Sequence, residues 1–159
     1  MIITWLSTIY ILAAAGIAVF GLLGLVTLWY YWRHRADTFP CPDVDAADLP
    51  RVTVQLPVYN ERLVIGRLVH AAARLDYPAE RLQIQVVDDS TDDTTDIARS
   101  LVDQYQARGL DIQLIHRVNR QGYKAGALQA ALQQAAGEFI VIFDADFEPD
   151  SDYLLRTIP

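Results

Sequence analysis

Phe143-Asp144-Ala145-Asp146-Phe147 sets two carboxylates one residue apart, directly after the apolar run Phe139 to Phe143. Hard carboxylate oxygens suit Mg²⁺ or Mn²⁺, which keep several coordination positions for water and substrate phosphate. Such an ion would neutralise a diphosphate and stabilise it as a leaving group. Alternate residues of an extended strand point to opposite sides, so both carboxylates reach one ion only if the chain bends just after Phe143. The competing explanation is an ordinary acidic turn.

Two further polar clusters follow expected strands. Pro57-Val58-Tyr59-Asn60-Glu61 comes after Val52 to Leu56, and Asp88-Asp89-Ser90-Thr91 comes after Gln83 to Val87. From Ser90 to Asp93 the residues also fit a helix capping box, with Thr94 and Asp96 suited to a positive helix N-terminus. Capping accounts less well for Asp88 and Asp89 themselves, where a carboxylate accepting from a ribose or base is the functional alternative. Lys124 lies in Gln121-Gly122-Tyr123-Lys124-Ala125-Gly126, at the start of a helical pattern. A lysine is unfavourable there unless an anion is near, and the glycine-flanked amides can hold phosphate; otherwise it is a solvated surface lysine. His34, His70 and His116 show no ligand spacing and are expected to be structural or exposed.

The elements that must position these residues alternate between two periods. Strands are expected at Val52–Leu56, Gln83–Val87, Asp111–Ile115 and Phe139–Phe143, the last apolar throughout as in a central strand covered on both faces. Between them, helical spacing covers Glu61 to Leu75, Asp93 to Arg108 and Lys124 to Ala136. In the second of these helices Ile97, Leu101 and Tyr105 share a face; in the third, Ala127-Leu128, Ala131-Leu132 and Ala135 face inward. The order βαβαβαβ means an α/β fold with a parallel sheet and right-handed crossovers. Ligands of such sheets bind at the carboxyl ends of the strands, which is where all the polar clusters fall. Three acidic clusters at one edge would repel one another unless a metal or a donor-rich ligand lay between them.

Charge divides the chain. Residues Ile2 to Trp32 carry no charge, and all 33 formal charges come later. A helix of that apolar stretch would be about 46 Å long, against the ~20 residues needed to cross a bilayer. It is too long for the apolar core of a signal peptide and lacks a basic leader. Residues 1–35 therefore read as a transmembrane anchor. Trp29 to Trp32 suit the membrane boundary, and Arg33 and Arg35 beside them favour a cytosolic location for the residues C-terminal to them. Residues 36–50, rich in proline and aspartate, read as a linker, and residues 51–159 as the globular part. Without Arg33 and Arg35 the remainder holds 11 basic and 20 acidic residues, which argues against a nucleic-acid partner. The single cysteine, Cys41, forms no internal disulfide and agrees with a reducing compartment.

Val58-Tyr59-Asn60-Glu61, Asp88-Asp89-Ser90-Thr91-Asp92, Gly122-Tyr123-Lys124-Ala125-Gly126-Ala127-Leu128 and Phe143-Asp144-Ala145-Asp146-Phe147, in that order, resemble family 2 glycosyltransferases of the nucleotide-binding GT-A fold. They look most like the cellulose-synthase-like branch that includes β-mannan synthases. The resemblance implies that Tyr59, Glu61 and Asp89 contact the base and ribose of a nucleotide sugar. It implies that Lys124 and Asp144 contact the diphosphate and its sugar, and that Asp146 ligates a divalent cation, Mg²⁺ or Mn²⁺. It further implies an inverting transfer of a hexose, from UDP-glucose or GDP-mannose, to a β-glycan at the cytosolic face of the inner membrane. In the family an aspartate of a later acidic motif serves as base, and processive members carry Gln-x-x-Arg-Trp later still. Neither is present, so the chain is expected to be the front part of a longer protein, inactive alone. A lipid acceptor, or a non-catalytic nucleotide-binding membrane module, are the alternatives.

Overall fold

The computed structural model describes residues 2–36, 45 and 48–158. They form two compact units, divided between Pro40 and Cys41. The expected linker, with Cys41, lies mostly outside the described residues.

The first unit is the helix α1, Ile2–His34. Its 33 residues make a rod about 50 Å long. Apolar side chains are exposed on every side, Ile3 and Phe20 each at 80%. A helix apolar all round belongs in a membrane or deep inside a large protein, and this one is long and apolar enough to cross a membrane. At its end the Arg33 guanidinium stacks 5.7 Å from the Trp29 ring and that of Arg35 lies 5.4 Å from Trp32.

The second unit contains strands β1 (Val52–Val58), β2 (Leu82–Asp88), β3 (Asp111–His116) and β4 (Phe139–Ile142). Helices α2 (Ile65–Ala72), α3 (Thr94–Gln106), α4 (Tyr123–Leu132) and α5 (Tyr153–Thr157) connect and follow them. All strand pairs are parallel, in the order β3-β2-β1-β4. One face of the sheet is apolar. Val52, Val54, Leu56, Ile84, Val86 and Ile112 pack there with Leu68 and Val69 of α2 and Ala98, Val102 and Tyr105 of α3.

The opposite face has a different chemistry. Thr53 and Gln55 of β1 and Gln83 and Gln85 of β2 are all buried. Their side chains pair across the strands, Thr53 Oγ1 donating to Gln83 Oε1 and Gln55 Nε2 to Gln85 Oε1, both at 2.9 Å. The chain leaving α4 completes the set, because the amides of Ala136 and Gly137 donate to Gln83 Oε1 and Thr53 Oγ1. Each such bond is worth about 1 kcal/mol net, whereas an unmet buried group costs about 1–3 kcal/mol. Gln85 Nε2 is one group that finds no partner among the described residues.

Four sequence expectations change. The run at Phe139 reads as a central strand, but β4 forms the edge of the described sheet, with Phe139 50% and Ile142 46% exposed. The helices are shorter than their apolar patterns; α2 is preceded by a hydrogen-bonded turn in which the Glu61 carbonyl accepts from Val64 and Ile65. The buried residues of α3 are Thr94, Ala98, Val102 and Tyr105; of the expected stripe Tyr105 is buried and Leu101 packs half-buried against the core, whereas Ile97 is exposed. Leu132, expected to face inward on α4, is 52% exposed.

Candidate functional site

β1 lies between β2 and β4; the chain runs outward from β1 through β2 to β3, and after β3 it crosses back to the other side of β1 to form β4. This is a topological switch point, where parallel sheets open a crevice beyond their strand ends. A cleft of about 470 Å³ occupies that place. Tyr59, Glu61, Asp89, Lys124, Asp144 and Asp146 all line it, together with Pro57, Val58, Val64, Val87, Arg120, Ala127 and Ala145. These six side chains therefore share one edge of the sheet, whereas Asp88, the neighbour of Asp89, does not line the cleft.

The β1 end is shaped by a left-handed residue, Asn60, at φ +55°. Asparagine tolerates this conformation, and here it ties two strand ends together. Its amide donates to Ser90 Oγ at 2.8 Å, and its Oδ1 accepts from the Thr91 amide at 2.9 Å. Ser90 is therefore spent on the β1 loop, and the expected capping box does not form. Asp93 caps α3 without a side-chain bond, while Asp92 Oδ1 accepts from the Thr94 amide at 3.0 Å.

The two β2-end aspartates have separate tasks. Asp88 is fully buried. Its carboxylate accepts from the Ser90 amide (2.9 Å) and Thr95 Oγ1 (2.6 Å) and lies 2.8 Å from His116 Nδ1. Burial pushes its pKa up, but the donors at Ser90, Thr95 and His116 outweigh burial and hold it below the ordinary 3.8. Such a depressed carboxyl stabilises the fold fully above its unfolded value, and the contribution is lost as pH falls through the folded one. Thermal melts from pH 7 to pH 2 should therefore show a steep loss below about pH 4. Asp88→Asn should melt lower at pH 7 and fall less steeply; parallel curves would refute this role.

Asp89 is also buried but reaches the cleft. Arg117, just past β3, grips it with a two-point fork, Nε to Oδ1 at 2.8 Å and a terminal nitrogen to Oδ2 at 2.6 Å. No sequence motif marks Arg117. The signal was there: a buried carboxylate needs a cation, and Arg117 directly follows the parallel strand paired with β2.

Lys124 is the second residue of α4 and forms an ion pair with Asp144 across the cleft mouth. The chain does bend after Phe143, since β4 ends at Ile142 and the Phe147 amide returns to the Asp144 carbonyl at 2.9 Å. Asp144 and Asp146 are both exposed on this bend. Among the described residues no cation pairs with Asp146, and no three metal-ligating side chains converge. Two exposed hard carboxylates fit a Mg²⁺- or Mn²⁺-type ion that takes its other ligands from water and phosphate. The mutual repulsion of the acidic clusters is thus partly relieved by protein cations.

No sequence motif marks Arg120 either. Its guanidinium lies 3.3 Å from the Tyr59 ring centroid and 5.2 Å from that of Tyr123. It is a cation stacked on the aromatic wall of the cleft. The arrangement offers a flat ring, a buried carboxylate, two cations and a pair of metal-competent carboxylates. Such a set can take a ligand that combines a flat ring, hydroxyl donors and an anionic group.

Comparison with known proteins points the same way. The chain is 38% identical over 135 residues to glucomannan 4-beta-mannosyltransferase 7 of Arabidopsis thaliana, covering 82% of this chain and 24% of that protein. It is 47% identical over 114 residues to probable glucomannan 4-beta-mannosyltransferase 11 of Oryza sativa subsp. japonica, covering 69% and 20%. The chain thus spans about a quarter of the length of the curated relatives it matches. Among solved structures, the mannosyltransferase PcManGT from Pyrobaculum calidifontis, in complex with GDP-Man and Mn²⁺, superposes with a TM-score of 0.65 at 35% identity, covering 88% of this chain and 41% of that one. S. aureus TarS 1-349 in complex with UDP-GlcNAc matches with a TM-score of 0.57 at 30% identity, covering 65% and 29%. The parallel-sheet fold is that of GT-A transferases. Residues 53–159 match the model for glycosyl transferase family 2, and the chain belongs to that family.

Proposed function

We propose that the intact protein transfers a mannosyl residue from GDP-mannose to a growing β-glycan, at the cytosolic face of the cell's inner membrane. The observation that carries this reading is the meeting of Tyr59, Glu61, Asp89, Lys124, Asp144 and Asp146 around one cleft at the switch point of the sheet. Tyr59 stacks on the base, Glu61 and Asp89 accept from base or ribose, and Lys124 faces the diphosphate. Asp146, with Asp144, would hold a divalent cation, which supplies charge neutralisation to the departing diphosphate. Mannose is favoured over glucose by the mannosyltransferase relatives and by the GDP-Man and Mn²⁺ bound to PcManGT.

An acceptor hydroxyl attacks the anomeric carbon as the bond to the diphosphate breaks. The leaving nucleoside diphosphate takes the electron pair, and the hydroxyl proton passes to a carboxylate base. That base is to be sought in the part of the relatives' length that this chain does not span. Helix α1 anchors the protein in the membrane, and Arg33 and Arg35 keep the nucleotide-binding unit on the cytosolic side. Membranes carrying the intact protein should incorporate radiolabelled mannose from GDP-mannose into polymer in the presence of Mn²⁺. Incorporation only from UDP-glucose would refute the donor, and label confined to lipid would refute the acceptor.

A further inference from the structure

Arg117 makes more contacts than a simple ion pair requires. Besides its fork on Asp89, its terminal nitrogens donate to the Gln121 carbonyl at 3.3 Å and the Tyr123 carbonyl at 3.2 Å. Those carbonyls belong to the turn that delivers Lys124. The turn is strained: Gly122 at φ +74° is followed by Tyr123 at φ +50°. A non-glycine residue in that region persists only where its surroundings hold it. Gly126 allows the close approach, because a Cβ there would overlap the Gln121 carbonyl and lie 3.3 Å from the Arg117 guanidinium. The Arg117 side chain is 14% exposed and that of Asp89 5%, so solvent does little to weaken the fork.

We propose that Arg117 is the positioning residue of the donor site, a single planar fork that sets Asp89 on one wall and Lys124 on the other. It does not touch the donor itself. By holding the Asp89 carboxylate in one rotamer and the Gln121–Tyr123 turn in one conformation, it fixes the distance between the base-and-ribose end and the diphosphate end. Lysine keeps the charge but has neither the fork nor the reach to two carbonyls. This inference rests on the donor-site reading given above.

The test uses the full-length protein, with GDP plus Mn²⁺ as the calorimetric probe and thermal midpoint as the measure of fold. Arg117→Lys should weaken GDP binding about tenfold to hundredfold, the usual cost of losing a group that orients a ligand-binding residue. The loss should exceed anything the change in midpoint explains. The same variant should raise the donor KM more than it lowers kcat. Wild-type affinity in a folded Arg117→Lys, or affinity that merely tracks the midpoint across variants, would overturn the proposal. Absence of GDP binding by the wild type would instead sink the donor-site reading beneath it. Should Arg117→Lys not fold, Arg117→Gln in an Asp89→Asn background strands no buried charge. There a further tenfold loss relative to Asp89→Asn alone is expected from the freed Lys124 turn, and no further loss would overturn the proposal.

Discussion

Asp146→Ala in the intact protein should reduce Mn²⁺-dependent sugar transfer by about a thousandfold or more while leaving the thermal midpoint nearly unchanged. The activity side follows from what a cation supplies to a departing diphosphate, several kcal/mol of charge stabilisation, with each ~1.4 kcal/mol worth a factor of ten in rate. The stability side follows from the position of Asp146 on the exposed bend after β4, with no cation paired to it among the described residues. Surface changes of that kind usually fall within about 0.5 kcal/mol. Asp144→Ala is a useful contrast, because it also frees Lys124 from its ion pair. Both variants should lose transfer, but Asp146→Ala should show the larger shift in the Mn²⁺ concentration needed for half-maximal activity. Transfer by Asp146→Ala at the wild-type Mn²⁺ requirement would remove it from the metal site.

Gly126→Ala should lower stability by about 1–3 kcal/mol and remove most nucleotide affinity. This reverses the ordinary expectation. Alanine in a helix interior is favoured over glycine by about 1 kcal/mol, and Gly126 lies within α4. The added methyl, however, would overlap the Gln121 carbonyl, which is backbone and cannot swing away. Relieving the overlap means moving the turn that holds Lys124, at the usual cost of overpacking. A fall in midpoint on the order of 10 °C is expected. Gly66 provides the internal control, since it lies in α2 and a methyl there meets nothing within 4 Å. Gly66→Ala should raise the midpoint by a few degrees and leave GDP binding alone. Equal gains from both substitutions would mean that the turn yields easily and is not a fixed part of the cleft.

Much of this was legible in the residues themselves. The strands are found within a residue or two of the expected ranges, β1 and β2 because apolar and polar residues alternate along them and β4 because its run is apolar throughout. Tyr59, Glu61, Asp89, Lys124, Asp144 and Asp146 could be grouped because each follows a strand or begins a helix, and such points share one edge of an α/β sheet. What escaped was everything set by neighbours distant in the chain. The edge position of β4 depends on strand order, which its apolar run does not encode. On α3 the core takes Thr94, Ala98, Val102 and Tyr105 and leaves Ile97 outside, a rotation set by the packing of the whole helix rather than by its apolar spacing. Arg117 and Arg120 sit in a loop with no periodicity, and their importance comes from what they meet, Asp89 in one case and the Tyr59 ring in the other.

The buried polar pairs between β1 and β2 carry a consequence for assembly. In the native alignment Thr53 faces Gln83, Gln55 faces Gln85, and Val58 faces Asp88. A slip by one residue exchanges the two faces of a strand, which would push both glutamines of β2 into the aliphatic core and strand Thr53 and Gln55 without partners. An all-aliphatic pair of strands would tolerate such a slip at far lower cost. The buried polar pairs therefore act as a key that fits only one alignment. That alignment is also what brings the Asp89 amide to the Val58 carbonyl at 3.1 Å. Proofreading of strand register, several residues back from the cleft and with no part in any chemistry, thereby decides whether the walls of the cleft face each other at all.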